Sequence, residues 1–88
     1  MLLLRWSYTK KYNIKGIFDN FPSSPVIFRQ IKDYYFVYRV HWDANDPPVG
    51  RSDLEQMELL LNEELGTIDF YLQRKNLHNE SLDLPQNW

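Results

Sequence analysis

Apolar and polar positions alternate over several short stretches of the chain, and one longer stretch repeats at helical spacing. From Leu2 to Thr9, Leu2, Leu4, Trp6 and Tyr8 alternate with Leu3, Arg5, Ser7 and Thr9, which predicts an edge or near-edge strand with one buried side. The densest signal runs from Asp33 to Asp43. Its β-branched and aromatic residues, uninterrupted by Gly or Pro, suit a pleated, largely buried strand. Side chains in a strand point alternately to either face, so Tyr34, Phe36, Tyr38, Val40 and Trp42 share one side and Tyr35, Val37, Arg39 and His41 the other. The first set is wholly apolar or aromatic and is expected to meet a helix. Val26 to Ile31 predicts another strand, joined to the central one through Lys32-Asp33 as a β-hairpin over 26–42.

Between these strands, Lys10 to Asn13 opens a polar connection in which Gly16 permits a turn. Ile17, Phe18 and Phe21 are too apolar for a free loop and are expected to tuck against the core. Phe21-Pro22-Ser23-Ser24-Pro25 breaks regular structure, and Ala44 to Gly50, with its Pro-Pro pair, marks a loop.

Ser52 followed by Glu55 has the form of a capping box, in which a hydroxyl and a carboxylate satisfy two free N–H groups reciprocally. The helix it opens should run to Leu65 and stop at Gly66. Leu54, Met57, Leu61 and Leu65 make one stripe, Leu60 flanks it, and Leu59 points nearly opposite. Thr67 to Gln73 alternates again with Ile68, Phe70 and Leu72 inward, and reads as a fourth strand. A second helix continuing past a kink at Gly66 is the competing reading. Residues 76–88 are polar with scattered leucines and are expected as a loosely docked or mobile tail after a single domain over 1–75.

The fold class that follows is α+β. It comprises a small, mostly antiparallel sheet of about four strands, in the order strand, hairpin, helix, strand. One helix packs on the side carrying Trp6, Phe28, Phe36, Tyr38 and Phe70.

Composition narrows the function. An 88-residue chain is one domain, and 16% aromatic content supplies the bulky side chains that a small core needs. Without cysteine there are no disulfides or thiolate metal sites, which fits a cytoplasmic location. The Leu2-Leu3-Leu4 run is too short for a signal-peptide core, and no stretch approaches the length of a membrane span. Net charge is −2 but unevenly spread: residues 1–44 hold seven Lys/Arg against three acids, residues 45–88 three against nine. Such asymmetry suits either a charged binding face or mutual neutralisation of the two halves.

If the helix covers the aromatic side, the open side of the sheet carries Arg5, Arg29 and Arg39, with Tyr35, Tyr71 and His41 among them. Guanidinium groups beside rings suit a planar or anionic partner, although an ordinary cross-strand ladder with solvated arginines has the same composition. Glu55, Glu58 and Glu63 make a second, acidic surface on the helix, with Leu59 inside it. These features predict a small non-enzymatic protein-interaction module: an adaptor, inhibitor or regulatory subunit. The alternative is a single-stranded nucleic-acid binder using the same face. Against that stand the acidic total and the absence of an RNP-like motif. A free edge strand also admits a homodimer.

His41 and Asp43 project to the same side, with Asp46 close behind, a pattern that suits a divalent cation or an oriented base. Two histidines, no cysteine and no nucleophile or phosphate-cradling motif leave that pattern as a structural pair. No catalytic residue, metal or cofactor is expected.

Overall fold

The computed structural model describes the backbone of residues 1–83 and the side chains of residues 1–75. Side chains past residue 75 lie outside the described residues; of the tail expected over 76–88, the backbone of 76–83 is helical and residues 84–88 lie outside the described residues. Four strands come first: β1 (Leu3–Tyr8), β2 (Ile14–Phe18), β3 (Phe21–Ile31) and β4 (Tyr34–Val40). Two helices follow, α1 (Arg51–Leu65) and α2 (Ile68–Asp83). The sheet is an antiparallel meander in the order β1-β2-β3-β4. The α+β class therefore stands, but not the expected order, because among the described residues no strand follows α1.

The strand that sequence patterning passed over is β2. Gly16 makes no turn there. It lies mid-strand, opposite Trp6 on β1 and Val26 on β3. A Cβ on Gly16 would come within 3.3 Å of Phe28 Cε2 and 3.4 Å of Leu3 Cδ1. The bare backbone lets the Phe28 ring close over it, one of the positional uses of glycine inside a strand. Gly16→Val is accordingly expected to cost about 1–3 kcal/mol through overpacking, read as a lower Tm in thermal denaturation. An unchanged melt would mean the ring has room to move aside.

Pro22 and Pro25, expected to break regular structure, both lie inside β3. They are tolerated because the β2–β3 register shifts between Gly16 and Phe18, where the ladder is interrupted. At that interruption the buried Asp46 takes over, its Oδ2 accepting from Ser23 N–H at 3.0 Å and from Ser24 Oγ at 2.6 Å. Ser24 Oγ in turn accepts from Asp43 N–H, so the loop after β4 is pinned to β3. The central strand accordingly ends at Val40, short of Asp43, and the Trp42 indole N–H donates to the Pro47 carbonyl instead.

A second irregularity reverses the expected face of β4. Ile27 pairs with Arg39 but Phe28 pairs with Val37, so Tyr38 is an extra residue in the ladder. Tyr35 is the buried ring, at 7% exposure, and Val37 and Val40 pack on the same core. Tyr38 and Trp42, expected inside, are exposed, and Phe36 is only partly buried. The core comprises Ile14, Phe18, Phe21, Val26, Phe28 and Tyr35 from the strands, with Met57 and Leu61 from α1. Trp6 and Phe28 thus lie on the expected side. Phe36 and Tyr38 belong to the opposite one, and Phe70 is exposed on α2.

Helix α1 begins one residue before Ser52. Its N-cap is Gly50, whose N–H donates to Asp53 Oδ2 at 2.9 Å, so Ser52 sits in the first turn and not at the cap. Gly66 closes the helix in the left-handed conformation, φ 77°, as expected.

Thr67 to Gln73 is helical, the competing reading of the sequence. Thr67 Oγ1 donates to Asn62 Oδ1 at 2.8 Å and the Thr67 carbonyl accepts from Tyr71 N–H, which starts α2. A further strand beside β4 is not needed, because α1 already occupies that edge. The Asn62 carboxamide accepts from Tyr35 N–H at 2.9 Å and donates to the Tyr35 carbonyl at 2.8 Å, as a neighbouring strand would. Glu58 continues the substitution, its Oε2 accepting from Val37 N–H at 2.8 Å.

Candidate functional site

The side of the sheet turned away from the core is built by register. Ser7, Lys15, Ile27 and Arg39 form one row across β1, β2, β3 and β4. Arg5 and Ile17 pair in the neighbouring row on β1 and β2, and Arg29 pairs with Phe36 on the other flank. Arg5, Lys15, Arg29 and Arg39 are all exposed. Among the described residues, none of the four is in ion-pair contact with a carboxylate; the pairs present join Glu55 to Arg51 and to Lys75. The charge asymmetry of the sequence therefore survives folding as a cationic sheet surface.

Two groupings stand out on it. The bulge at Tyr38 sets its ring, 44% exposed, close to two guanidinium groups. Arg29 Cζ lies 3.6 Å from the ring centroid and Arg39 Cζ 5.7 Å from it, both within cation–π range. Stacking holds the Arg29 side chain against the sheet, so less conformational entropy remains to be lost when it binds something. Across the sheet, Arg5, Trp6, Ser7, Lys15 and Ile17 line a shallow recess of about 170 Å³. Ile17, only 7% exposed, is its apolar residue deepest in the fold.

Of the residues singled out by sequence, Arg5, Arg29 and Arg39 come together on this surface and the others do not. Tyr35 faces the core, where burial, and then the nearby Tyr8 phenol, push its hydroxyl above the usual range. Tyr71 is buried between the helices and β4, with its hydroxyl donating to Glu58 Oε1 at 2.8 Å. His41 is exposed just beyond β4, tied by its backbone N–H to the Pro25 carbonyl. Leu59 belongs to α1, beside a separate recess shared with Met1, Gln56, Leu60 and Glu63. Asp46, weighed with His41 and Asp43 as a cation site, is spent on Ser23 and Ser24. Among the described residues no three His, Asp or Glu side chains converge.

The acidic helix surface is also reduced. Glu55 is shared between Arg51 and Lys75, and Glu58 turns inward to Val37 and Tyr71. That inward carboxylate has a measurable consequence. Burial, and then Glu58, raise the Tyr71 hydroxyl far above its ordinary value of 10.0. A tyrosine raised in the folded state contributes stability that is intact below the unfolded value and is lost as pH rises above it. The protein is therefore expected to hold its Tm up to about pH 10 and lose it beyond, with Tyr71→Phe flattening that loss. Parallel alkaline profiles for the two proteins would remove Tyr71 as the cause.

Lys15, Ile17, Ile27 and Tyr38 escaped the sequence reading of this surface. Reading Ile14-Lys15-Gly16-Ile17-Phe18 as a strand with an interior glycine would have exposed Lys15. Nothing local marks the bulge at Tyr38.

No helix among the described residues is long and apolar enough to cross a membrane. No curated protein and no solved structure matches the chain. A family match covers residues 2–76, nearly the whole described fold and all of its cationic surface, and on that extent the chain belongs to the family described as "Uncharacterised protein YuzH".

Proposed function

We propose that this chain is a small non-enzymatic protein-interaction module, an adaptor, inhibitor or regulatory subunit, whose partner surface is the open side of the sheet. The observation that supports this reading is the set Arg5, Lys15, Arg29 and Arg39, exposed together and free of carboxylate partners among the described residues. Cations on a folded surface are ordinarily interspersed with acids, and a single-sign field on one face favours an oppositely charged partner. The acidic helix surface is the weaker candidate, since two of its carboxylates are engaged within the molecule. The cysteine-free composition supports a cytoplasmic location.

Nucleic acid is the competing partner for the same surface. Sheet-surface readers stack bases on free rings, and here the most exposed ring of the stack, Tyr38, already has Arg29 over it. Tyr35 and Tyr71 are buried.

The test is affinity capture from nuclease-treated native lysate, with the wild-type chain and an Arg29→Glu/Arg39→Glu variant as parallel baits. A protein retained by the first and lost by the second supports the reading. Identical proteins on both baits, or recovery only where nuclease is omitted, would sink it.

A further inference from the structure

The two cationic groupings stand apart on the same surface, and their separation bears on what binds them. The Arg5–Lys15 recess lies over β1 and β2, and the Arg29–Tyr38–Arg39 stack over β3 and β4. Two to three strand spacings separate them, roughly 10–14 Å. Between them the surface is aliphatic, with Ile27 in the same row as Lys15 and Arg39.

We infer that this surface takes an extended acidic protein segment lying across the strands. One carboxylate sits at the Arg5–Lys15 recess, a second on the Arg29–Arg39 pair, and an apolar side chain lies over Ile27. The inference rests on the protein-partner reading above and adds the chemistry of the partner. Extended chain advances about 3.3 Å per residue and returns to the same side every second residue. Carboxylates at positions i and i+4 are about 13 Å apart on one side, with position i+2 midway and also facing the sheet.

The recess suits its role by size and lining. Its volume of about 170 Å³ leaves room for a carboxylate. A guanidinium and an ammonium at its rim supply donors for both carboxylate oxygens. At the other end, Arg29 is held by the Tyr38 ring, and its N–H edge, without a carboxylate partner among the described residues, can bind a carboxylate in two-pronged fashion. Of the rings at this surface among the described residues, Trp6 and Phe36 are partly buried and Tyr38 already has Arg29 over it.

The test uses fluorescence anisotropy with the full chain and three labelled probes. The first is a peptide carrying two glutamates four positions apart with valine midway. The second is its twin with both glutamates changed to glutamine, and the third is an oligothymidylate of similar length. The acidic peptide is expected to bind at low ionic strength and weaken as salt is raised. The glutamine twin, and the acidic peptide on an Arg29→Gln/Arg39→Gln variant, are each expected to lose about tenfold or more in affinity. These exposed substitutions should leave the melting curve in place. Equal binding of the two peptides, or indifference to the arginines, overturns the inference.

Tighter, arginine-dependent binding of the oligothymidylate overturns it and the protein-partner reading together. Arginine-dependent self-association in sedimentation, with no peptide binding, assigns the surface to a second copy and overturns the extended-segment inference. If the lysate experiment captures a protein through Arg29 and Arg39 while the acidic peptide fails to bind, the inference falls and the broader reading stands.

Discussion

Asn62→Ala is expected to remove about 3–5 kcal/mol of folding stability, a large share of the roughly 5–15 kcal/mol that a small domain has. Asn62 is fully buried, and its carboxamide serves four groups. It pairs with both the N–H and the carbonyl of Tyr35, donates to the Glu58 carbonyl at 2.8 Å, and accepts from Thr67 Oγ1 at 2.8 Å. Alanine would leave the Tyr35 amide, a buried backbone pair, without partners. Each such orphan costs about 1–3 kcal/mol in desolvation. The same change would open the outer edge of β4, and unguarded edges template association with other chains. The expected result in urea denaturation is a lower midpoint at near-constant slope, together with concentration-dependent aggregation. A loss below 1 kcal/mol would mean that water replaces the carboxamide at the strand edge.

Phe28→Ala and Phe36→Ala make the second large contrast. Phe28 is fully buried, lies over Gly16 and meets Phe18 with ring centroids 6.2 Å apart. Its truncation leaves a cavity in the sheet's inner layer and is expected to cost about 3–5 kcal/mol. Phe36, on the opposite side and only partly buried, is expected to cost about 1 kcal/mol when truncated. The alternation along β4 alone puts Phe36 with the core and makes both losses large. Equal destabilisation by the two substitutions would therefore mean that β4 presents its other side to the helices.

That contrast shows where sequence reasoning reaches and where it stops on this chain. Both sides of Tyr34 to Val40 carry rings and valines, so alternation predicts a strand without saying which side is buried. The choice is made by Asn62 and Glu58, 27 and 21 residues away from their backbone partners, and by an extra residue in the ladder that has no local signature. The open surface was legible in part for the same reason. Arg5, Arg29 and Arg39 lie on strands recognisable from sequence, whereas Lys15 and Ile17 lie on one disguised by its glycine.

The sequence by itself determined the elements whose cause is local. These are the apolar alternation behind β1, β3 and β4, the Lys32-Asp33 turn between the last two, the apolar stripe of α1 and the glycine that ends it. It also determined the separation of basic and acidic halves. Tertiary structure alone decided which side of the sheet is covered, that residues 68–73 coil where alternation would equally allow a strand, and that Tyr71 and Glu58 are used internally. Helix and strand periods report only a residue's nearest chain neighbours, while burial and edge pairing depend on groups brought together from distant positions, which local pattern does not encode.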